Sequence, residues 1–141
     1  MLKTYLQQAI NNLESIISTT QQDIEDIKVA NNDAIFERNK IKLDLIKQFE
    51  SNKSGIDEEM LKLVSANEDK PIQDLIDEDT NTLLSSLRKS LENLKQINTH
   101  YARIVFAVSE FYTSLVEMMI PKEKADYKSE AVKSQILRVK A

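Results

Sequence analysis

Twelve positions in the second half of the chain alternate steps of four and three residues without a slip. This heptad spacing places one row of side chains along a single face of an α-helix. The row covers about 40 residues, or roughly 60 Å of helix at 1.5 Å per residue, and we expect a helix from about Asp79 to Ile120 that Pro121 ends. The row consists of Thr80, Leu84, Leu87, Leu91, Leu94, Asn98, Tyr101, Val105, Val108, Tyr112, Leu115 and Met119.

Composition supports an all-α fold. One Gly and two Pro in 141 residues are too few for the many tight turns of β and α/β chains. A charged fraction of 30% and a hydrophobic fraction of 41% are typical of helical bundles and coiled coils. We therefore predict one domain, an all-α, antiparallel helical bundle or coiled coil, over residues 1–121. It has two long helical regions, short connecting helices and a flexible basic C-terminal tail at 122–141.

The N-terminal part of the chain contains a similar row that breaks once. The phase changes at "ANND", residues 30–33, which predicts a kink or short break with Asn32 or Asp33 capping the next helix. We expect a first helix to about Ala30 and a second to about Glu50. The first row is Leu6, Ile10, Leu13, Ile17, Thr20, Ile24 and Ile27, and the second is Phe36, Asn39, Leu43 and Ile46, flanked by Ile35, Leu45 and Phe49.

The middle of the chain contains the turn signals. The segment "SNKSGID", residues 51–57, holds the only Gly, Gly55, and predicts a turn. Asp57 then suits the N-cap of a short helix over 58–66. Pro71 suits the first turn of another short helix that ends at Ile76.

Charge is unevenly distributed along the chain. The net charge is −4, but six basic and three acidic residues between Lys122 and Ala141 make the tail +3 and residues 1–121 −7. An acidic body argues against nucleic-acid binding, which requires a basic face. The chain has no Cys, which removes disulfides and thiolate metal sites. The N-terminus lacks the apolar core of a signal peptide, so we expect a cytoplasmic protein.

Residues that could support catalysis or metal binding are sparse. His100 is the only His, and no Glu precedes it by three residues as a di-metal bundle requires. The acidic segment "DLIDEDT", residues 74–80, lacks the spacing of a calcium loop and is better suited to capping the long helix. We expect no catalytic residue, metal site or cofactor.

The stretch 101–120 is the most apolar in the chain, and a second row runs beside the first there. Core packing, a partner helix and a membrane are the three explanations. Arg103, Glu110 and Glu117 disfavour a membrane span, because each costs roughly 2.5–3.5 kcal/mol near a bilayer centre. Met and aromatic side chains suit a helix-binding groove. The candidate partner-binding residues are Ile104, Val108, Phe111, Tyr112, Leu115, Met118 and Met119.

Asn98 interrupts the otherwise apolar row, and we interpret it as a register-fixing polar residue within the bundle. The whole pattern resembles the FlgN-type flagellar export chaperones. The second helical region, "FERNKIKLDLIKQFE", is similar to theirs, with Lys40 and Lys42. So is the last helix, "LRKSLENLKQINTHYARIVFAVSEFYTSLVEMM", with Asn98 as the family's Asn. Their flexible tail carries a Tyr, which Tyr127 in "ADYKSE" matches.

The resemblance implies a function. Such chaperones hold the C-terminal helices of hook–filament junction proteins and deliver them to the type III export gate through the tail. It therefore implies that the apolar face binds client helices and that Tyr127 docks at the export apparatus. The rival interpretation is a structural coiled-coil subunit, adaptor or dimerisation module, in which a homodimer buries the same face permanently. An interfacial membrane helix is disfavoured by the acidic body.

Overall fold

The computed structural model describes residues 1–119, and every regular element in that range is a helix. Helix α1 spans Leu2–Lys28, α2 Asn32–Ala66, α3 Ile72–Leu75 and α4 Glu78–Met119. The predicted all-α bundle with long helices and a short connecting helix is confirmed. The predicted tail at 122–141, including Tyr127, lies outside the described residues.

Helix α1 is the centre of the bundle, because it packs against both α2 and α4. Helix α2 returns antiparallel to α1, whereas α4 runs parallel to it. Near the start of both helices, Lys3 Nζ lies 2.6 Å from Asp77 Oδ2. Further along, Ile24 packs with Tyr101 and Val105.

The predicted row on α1 is confirmed as a buried face, with Leu6, Leu13 and Thr20 almost fully buried. A second row beside it is also buried and faces α2, and this row was not predicted. Two covered faces make α1 the most buried helix, and each fully buried Leu or Ile stabilises the fold by about 1.5–3 kcal/mol. The second row consists of Ala9, Asn12, Ile16 and Asp23.

The predicted break between the first two helices is confirmed. Helix α1 ends at Lys28, and Ala30 adopts a left-handed conformation with φ 59°. The Asn31 N–H then donates to the Asp26 carbonyl at 2.8 Å, which closes the end of α1. The predicted caps are wrong. Asn32 and Asp33 both lie within the first turn of α2, and the N-cap of α2 is Asn31.

The predicted turn at residues 51–57 is also wrong. Helix α2 runs unbroken through this segment, so it does not end near Glu50 and Asp57 begins no new helix. Gly55 is buried where α2 crosses α1, and a Cβ there would lie 2.7 Å from the Tyr5 ring. The glycine therefore serves close helix–helix contact, an alternative use of a residue that usually marks a turn.

The buried face of α2 is one position out of phase with the predicted row. Phe36, Leu43 and Ile46 are exposed, as is Asn39. The inward positions include Ile35, Arg38, Lys42, Leu45 and Phe49. The prediction failed because two inward positions carry charged side chains, which an apolar pattern cannot detect.

Short elements connect α2 to α4 largely as predicted. Helix α3 begins after Pro71 and ends at Leu75, close to the expected Ile76. The Thr80 N–H donates to Asp77 Oδ1 at 2.7 Å, so the acidic segment does cap α4. The Lys3 ammonium holds the other oxygen of this carboxylate, which ties the start of α1 to the start of α4.

Helix α4 has the predicted extent up to Met119, and Ile120 lies outside the described residues. The register-fixing role expected for Asn98 is wrong, because this side chain is exposed. The buried face passes instead through Leu94, Ile97 and Tyr101, and Asn98 lies at its edge.

Candidate functional site

The last third of α4 carries a continuous exposed apolar surface, which we call the terminal strip. Its exposed fractions range from 40% at Leu115 to 83% at Met118. On one side the strip borders Ser109 and Val116, which are buried. The terminal strip consists of Val108, Phe111, Tyr112, Leu115, Met118 and Met119.

The terminal strip lies beyond the end of α1, because α4 extends further than its neighbour. Ile24 lies level with Tyr101 and Val105, and both helices run in the same direction. Four residues further, α1 ends at Lys28, about level with Ala107. The row of side chains that α1 covers before Ala107 therefore continues to Met119 with no part of α1 beside it.

Charged side chains of this segment are kept away from the terminal strip. Glu110 and Glu117 lie on the opposite face of α4, about 150° around the helix from Leu115. Both are exposed, as is Arg103. The helix end is thus amphipathic in the sense required for a helix-binding surface, with charge on one side and apolar groups on the other.

Six of the seven predicted partner-binding residues form the terminal strip. The seventh, Ile104, is only partly exposed and packs against the cluster of Ile24, Tyr101 and Val105. The structure therefore places Ile104 at the base of the strip, inside the bundle. The predicted docking residue Tyr127 lies beyond the described residues.

A buried ion cluster lies below the terminal strip, at the level where three helices meet. The Asp23 side chain is only 2% exposed and accepts from Arg38 Nε at 2.7 Å and from Lys42 Nζ at 2.5 Å. Asp26 accepts a second bond from the Arg38 guanidinium. Two carboxylates therefore neutralise two cations, as buried charges require.

Tyr101 joins α4 to this cluster. The Lys42 ammonium lies 5.1 Å from the centre of the Tyr101 ring, a cation–π geometry. Burial, together with the nearby Asp23 carboxylate, raises the pKa of the Tyr101 hydroxyl to about 12. Tyr101 is therefore neutral at physiological pH, and its ring anchors α4 just below the exposed end.

The interface between α1 and α2 contains a second polar group. Asn52 Nδ2 donates to Asn12 Oδ1 at 2.8 Å, and Asn12 Nδ2 donates to Gln48 Oε1 at 3.2 Å. Asn12 is buried, so a shift in helix register would leave its amide without partners. These bonds fix the alignment of α1 with α2 in the way that a polar residue fixes a coiled-coil register.

These polar contacts were not predicted, although the sequence contains a signal for them. The break near Ala30 implies a hairpin, in which residues equally far before and after the break face each other. Asp23 and Arg38 fulfil that relation, as do Tyr5 and Gly55. Pairing opposite charges and small–large positions across the break would have identified both contacts.

Other chemistry is sparse within residues 1–119. His100 is exposed, and no group of three or more His, Cys, Asp or Glu side chains there could hold a metal ion. Among the described helices, none combines the length and apolarity needed to cross a membrane.

Comparisons with known proteins add no family assignment. No family model matches this chain, no curated protein matches it, and no solved structure matches its fold.

Proposed function

We propose that this protein holds an amphipathic helix of a partner protein on the terminal strip of α4, and that its role is binding and not catalysis. The observation that carries the proposal is the exposure of six neighbouring apolar side chains at the end of α4. Contiguous exposed apolar surface marks interaction sites, whereas isolated exposed apolar residues do not.

The dimensions of the terminal strip suit a short helix. Val108 to Met119 rises roughly 16 Å at 1.5 Å per residue, or about three turns of a partner helix. Two Met and two aromatic residues supply adaptable and rigid anchors respectively. The ion cluster at Tyr101 supports this function, because it anchors α4 just before the segment that carries the terminal strip.

The more specific proposal is a cytoplasmic export chaperone for flagellar hook–filament junction proteins. It rests on the resemblance of the α2 and α4 sequences to the FlgN-type chaperones. In this proposal the client's C-terminal helix occupies the terminal strip. Residues 122–141, with Tyr127 as anchor, then deliver the complex to the type III export gate.

A double substitution tests the proposed binding surface. Phe111→Asp with Leu115→Asp should abolish binding of a hook–filament junction protein's C-terminal helix, because it places two charges in the terminal strip. Phe106→Asp is the matched control, since Phe106 is also exposed on α4 but lies on another face. Titration calorimetry gives the affinities, and thermal unfolding of each free variant reports the fold.

The result separates binding from structural roles. Lost binding with an unchanged unfolding temperature supports the client surface. A large loss of stability would place these residues in the core. If the double substitution instead converts a dimer to a monomer in sedimentation experiments, the rival interpretation as a dimerisation module is correct.

Deletion of residues 122–141 tests the delivery role separately. We expect the shortened protein to bind the client helix with unchanged affinity, because the terminal strip is retained. Secretion of the client should be lost, and Tyr127→Ala in the full chain should reproduce much of that loss. Unchanged secretion would remove the tail from the proposed function, and lost affinity would assign it to the client site.

A further inference from the structure

A row of three side chains beside the terminal strip is covered although α1 does not reach it. Val116 is 7% exposed, whereas Val108 on the same helix is 42% exposed. Ser109 is also buried, and Thr113 is partly buried. Ser109, Thr113 and Val116 follow one another by steps of four and three, so they lie on one face of α4, which we call the covered row.

None of the other elements within residues 1–119 is placed to cover Val116. Helix α1 ends at Lys28, about level with Ala107, and Val116 lies nine residues or roughly 13 Å further along α4. Val29, in the loop after α1, is 73% exposed. Helix α2 begins at Asn32 and runs antiparallel to α1, away from this level. Helix α3 lies at the opposite end of the bundle, just before the start of α4.

The segment that covers Val116 belongs to this chain, because the structure contains no second chain. By elimination it lies within residues 120–141, which follow Met119 directly. Pro121 cannot continue a regular helix, so the sequence favours a change of direction at this point. The 20 residues after Pro121 would span about 30 Å as a helix. That length exceeds the roughly 15 Å from Met119 back to Ser109.

The charges of the two segments are opposite in sign. Residues 122–141 carry six basic and three acidic side chains, a net charge of +3. Between Ala107 and Met119 the only charged residues are Glu110 and Glu117, and both are exposed. Each of them directly follows a residue of the covered row and lies about 100° further around α4. A basic segment on the covered row would therefore have carboxylates along one of its sides.

The sequence of residues 122–141 also supplies apolar side chains for this contact. Val132, Ile136 and Val139 follow one another by steps of four and three, the spacing of one helix face. Lys133 and Lys140 each directly follow a member of this row, as Glu110 and Glu117 do on α4. Apolar rows flanked by opposite charges are the arrangement by which paired helices select each other.

We propose that residues 122–141 fold back along α4 and pack on the covered row, beside the terminal strip. Val132, Ile136 and Val139 face this row, and the basic side chains lie near Glu110 and Glu117. The C-terminal segment then replaces α1 as the neighbour of α4 beyond Ala107, and the terminal strip stays exposed. The proposal does not rest on the function proposed for the terminal strip.

A distance between two spin labels tests the proposal in the full-length protein. The chain has no Cys, so Arg103→Cys with Arg138→Cys introduces two labelling sites, and Arg103 is exposed. A helical return from Pro121 brings residue 138 about level with Ile104. Pulsed electron paramagnetic resonance should then give one distance within roughly 25 Å, two helix diameters. A helix that continued straight would give roughly 50 Å, and a free tail a broad distribution.

Substitutions on α4 locate the contact. Val116→Asp should convert the short distance into a broad distribution, because it places a charge in the covered row. Ser114→Asp is the matched control, since Ser114 is exposed on α4 outside the covered row, and it should keep the short distance. Circular dichroism of each variant verifies that the helices are retained.

Three results would overturn the proposal. A long or broad distance without further substitution would mean that residues 122–141 do not fold back. A short distance that Val116→Asp leaves unchanged would place them on another surface. Loss of the short distance on dilution with excess unlabelled protein would show that a second copy supplies the cover, whereas the proposed contact within one chain is unaffected by dilution.

Discussion

Two parts of α4 share one pattern but lie in different surroundings. We call the part around Tyr101 and Val105 the packed end and the part from Val108 to Met119 the free end. Tyr101 and Val105 are 6% and 7% exposed, whereas Tyr112 and Met119, on the same row, are 46% and 79% exposed. The spacing of apolar residues is the same in both segments. Helix α1 ends about level with Ala107, so no part of α1 lies beside the row from Val108 to Met119. Val116, on the neighbouring side of this segment, is nevertheless buried.

This comparison shows that a heptad row specifies an apolar face but not what covers it. Burial depends on where neighbouring helices end, which is a property of the hairpin between α1 and α2. The packed end of α4 stabilises the bundle. The free end is available for the partner helix that we propose.

The largest effect should come from the ion cluster that anchors the packed end. Asp23→Ala leaves Lys42 without its buried partner, and removal of one member of a buried pair costs about 3–5 kcal/mol. Urea unfolding should therefore show a loss of that order. Glu25→Ala is the control, because Glu25 lies on α1 in an exposed ion pair with Lys28 and should cost less than about 1 kcal/mol. Equal losses would show that the cluster does not hold the fold.

Two valines on α4 compare the two ends directly. Val105 is 7% exposed and Val108 is 42% exposed, three residues apart. Val105→Ala should lower the free energy of unfolding by about 2 kcal/mol, because it removes buried carbon and leaves a cavity. Val108→Ala should lower it by well under about 1 kcal/mol. Equal losses in urea unfolding would mean that the exposed row is part of the core.

At the close contact of α1 with α2, we expect a substitution to change stability in the direction opposite to the one that helix propensity predicts. In an exposed helix Gly→Ala gains about 1 kcal/mol. Gly55→Ala should instead lose about 1–3 kcal/mol, because the new methyl group meets the Tyr5 ring at 2.7 Å. Ser54→Ala at the exposed neighbouring position should be nearly neutral. Stabilisation by Gly55→Ala in thermal unfolding would show that the ring moves aside without cost.

The smallest effect concerns the capped start of α4 at low pH. The hydrogen bond from Lys3, together with those from Thr80, lowers the pKa of Asp77 from 3.8 to about 2. A lowered carboxyl pKa stabilises the fold above 3.8, and this contribution is lost as the pH falls toward 2. The wild type should therefore exceed Asp77→Asn in unfolding temperature at neutral pH, with the gap closing in acid. A gap that is independent of pH would contradict this cause.

Helices α1 and α4 and the apolar residues of the terminal strip could be predicted from the sequence. The rows of α1 and α4 are apolar and regular. Four residues of the terminal strip lie on the heptad row of α4, and Phe111 and Met118 lie on the row beside it. The features of α2 that could not be predicted depend on residues in unusual roles. Arg38 and Lys42 point inward, so the predicted buried face of α2 lies one position away from the observed buried face. Gly55 is a contact residue, so α2 was predicted too short.

Amide hydrogen exchange with and without a client helix tests the central claim most directly. The probe is a peptide of the C-terminal helix of a hook–filament junction protein. Amides from Val108 to Met119 should gain protection when the peptide is added, whereas those around Tyr101 should already be protected and should not change. Protection that appears only elsewhere, or not at all, would contradict a client surface on the terminal strip.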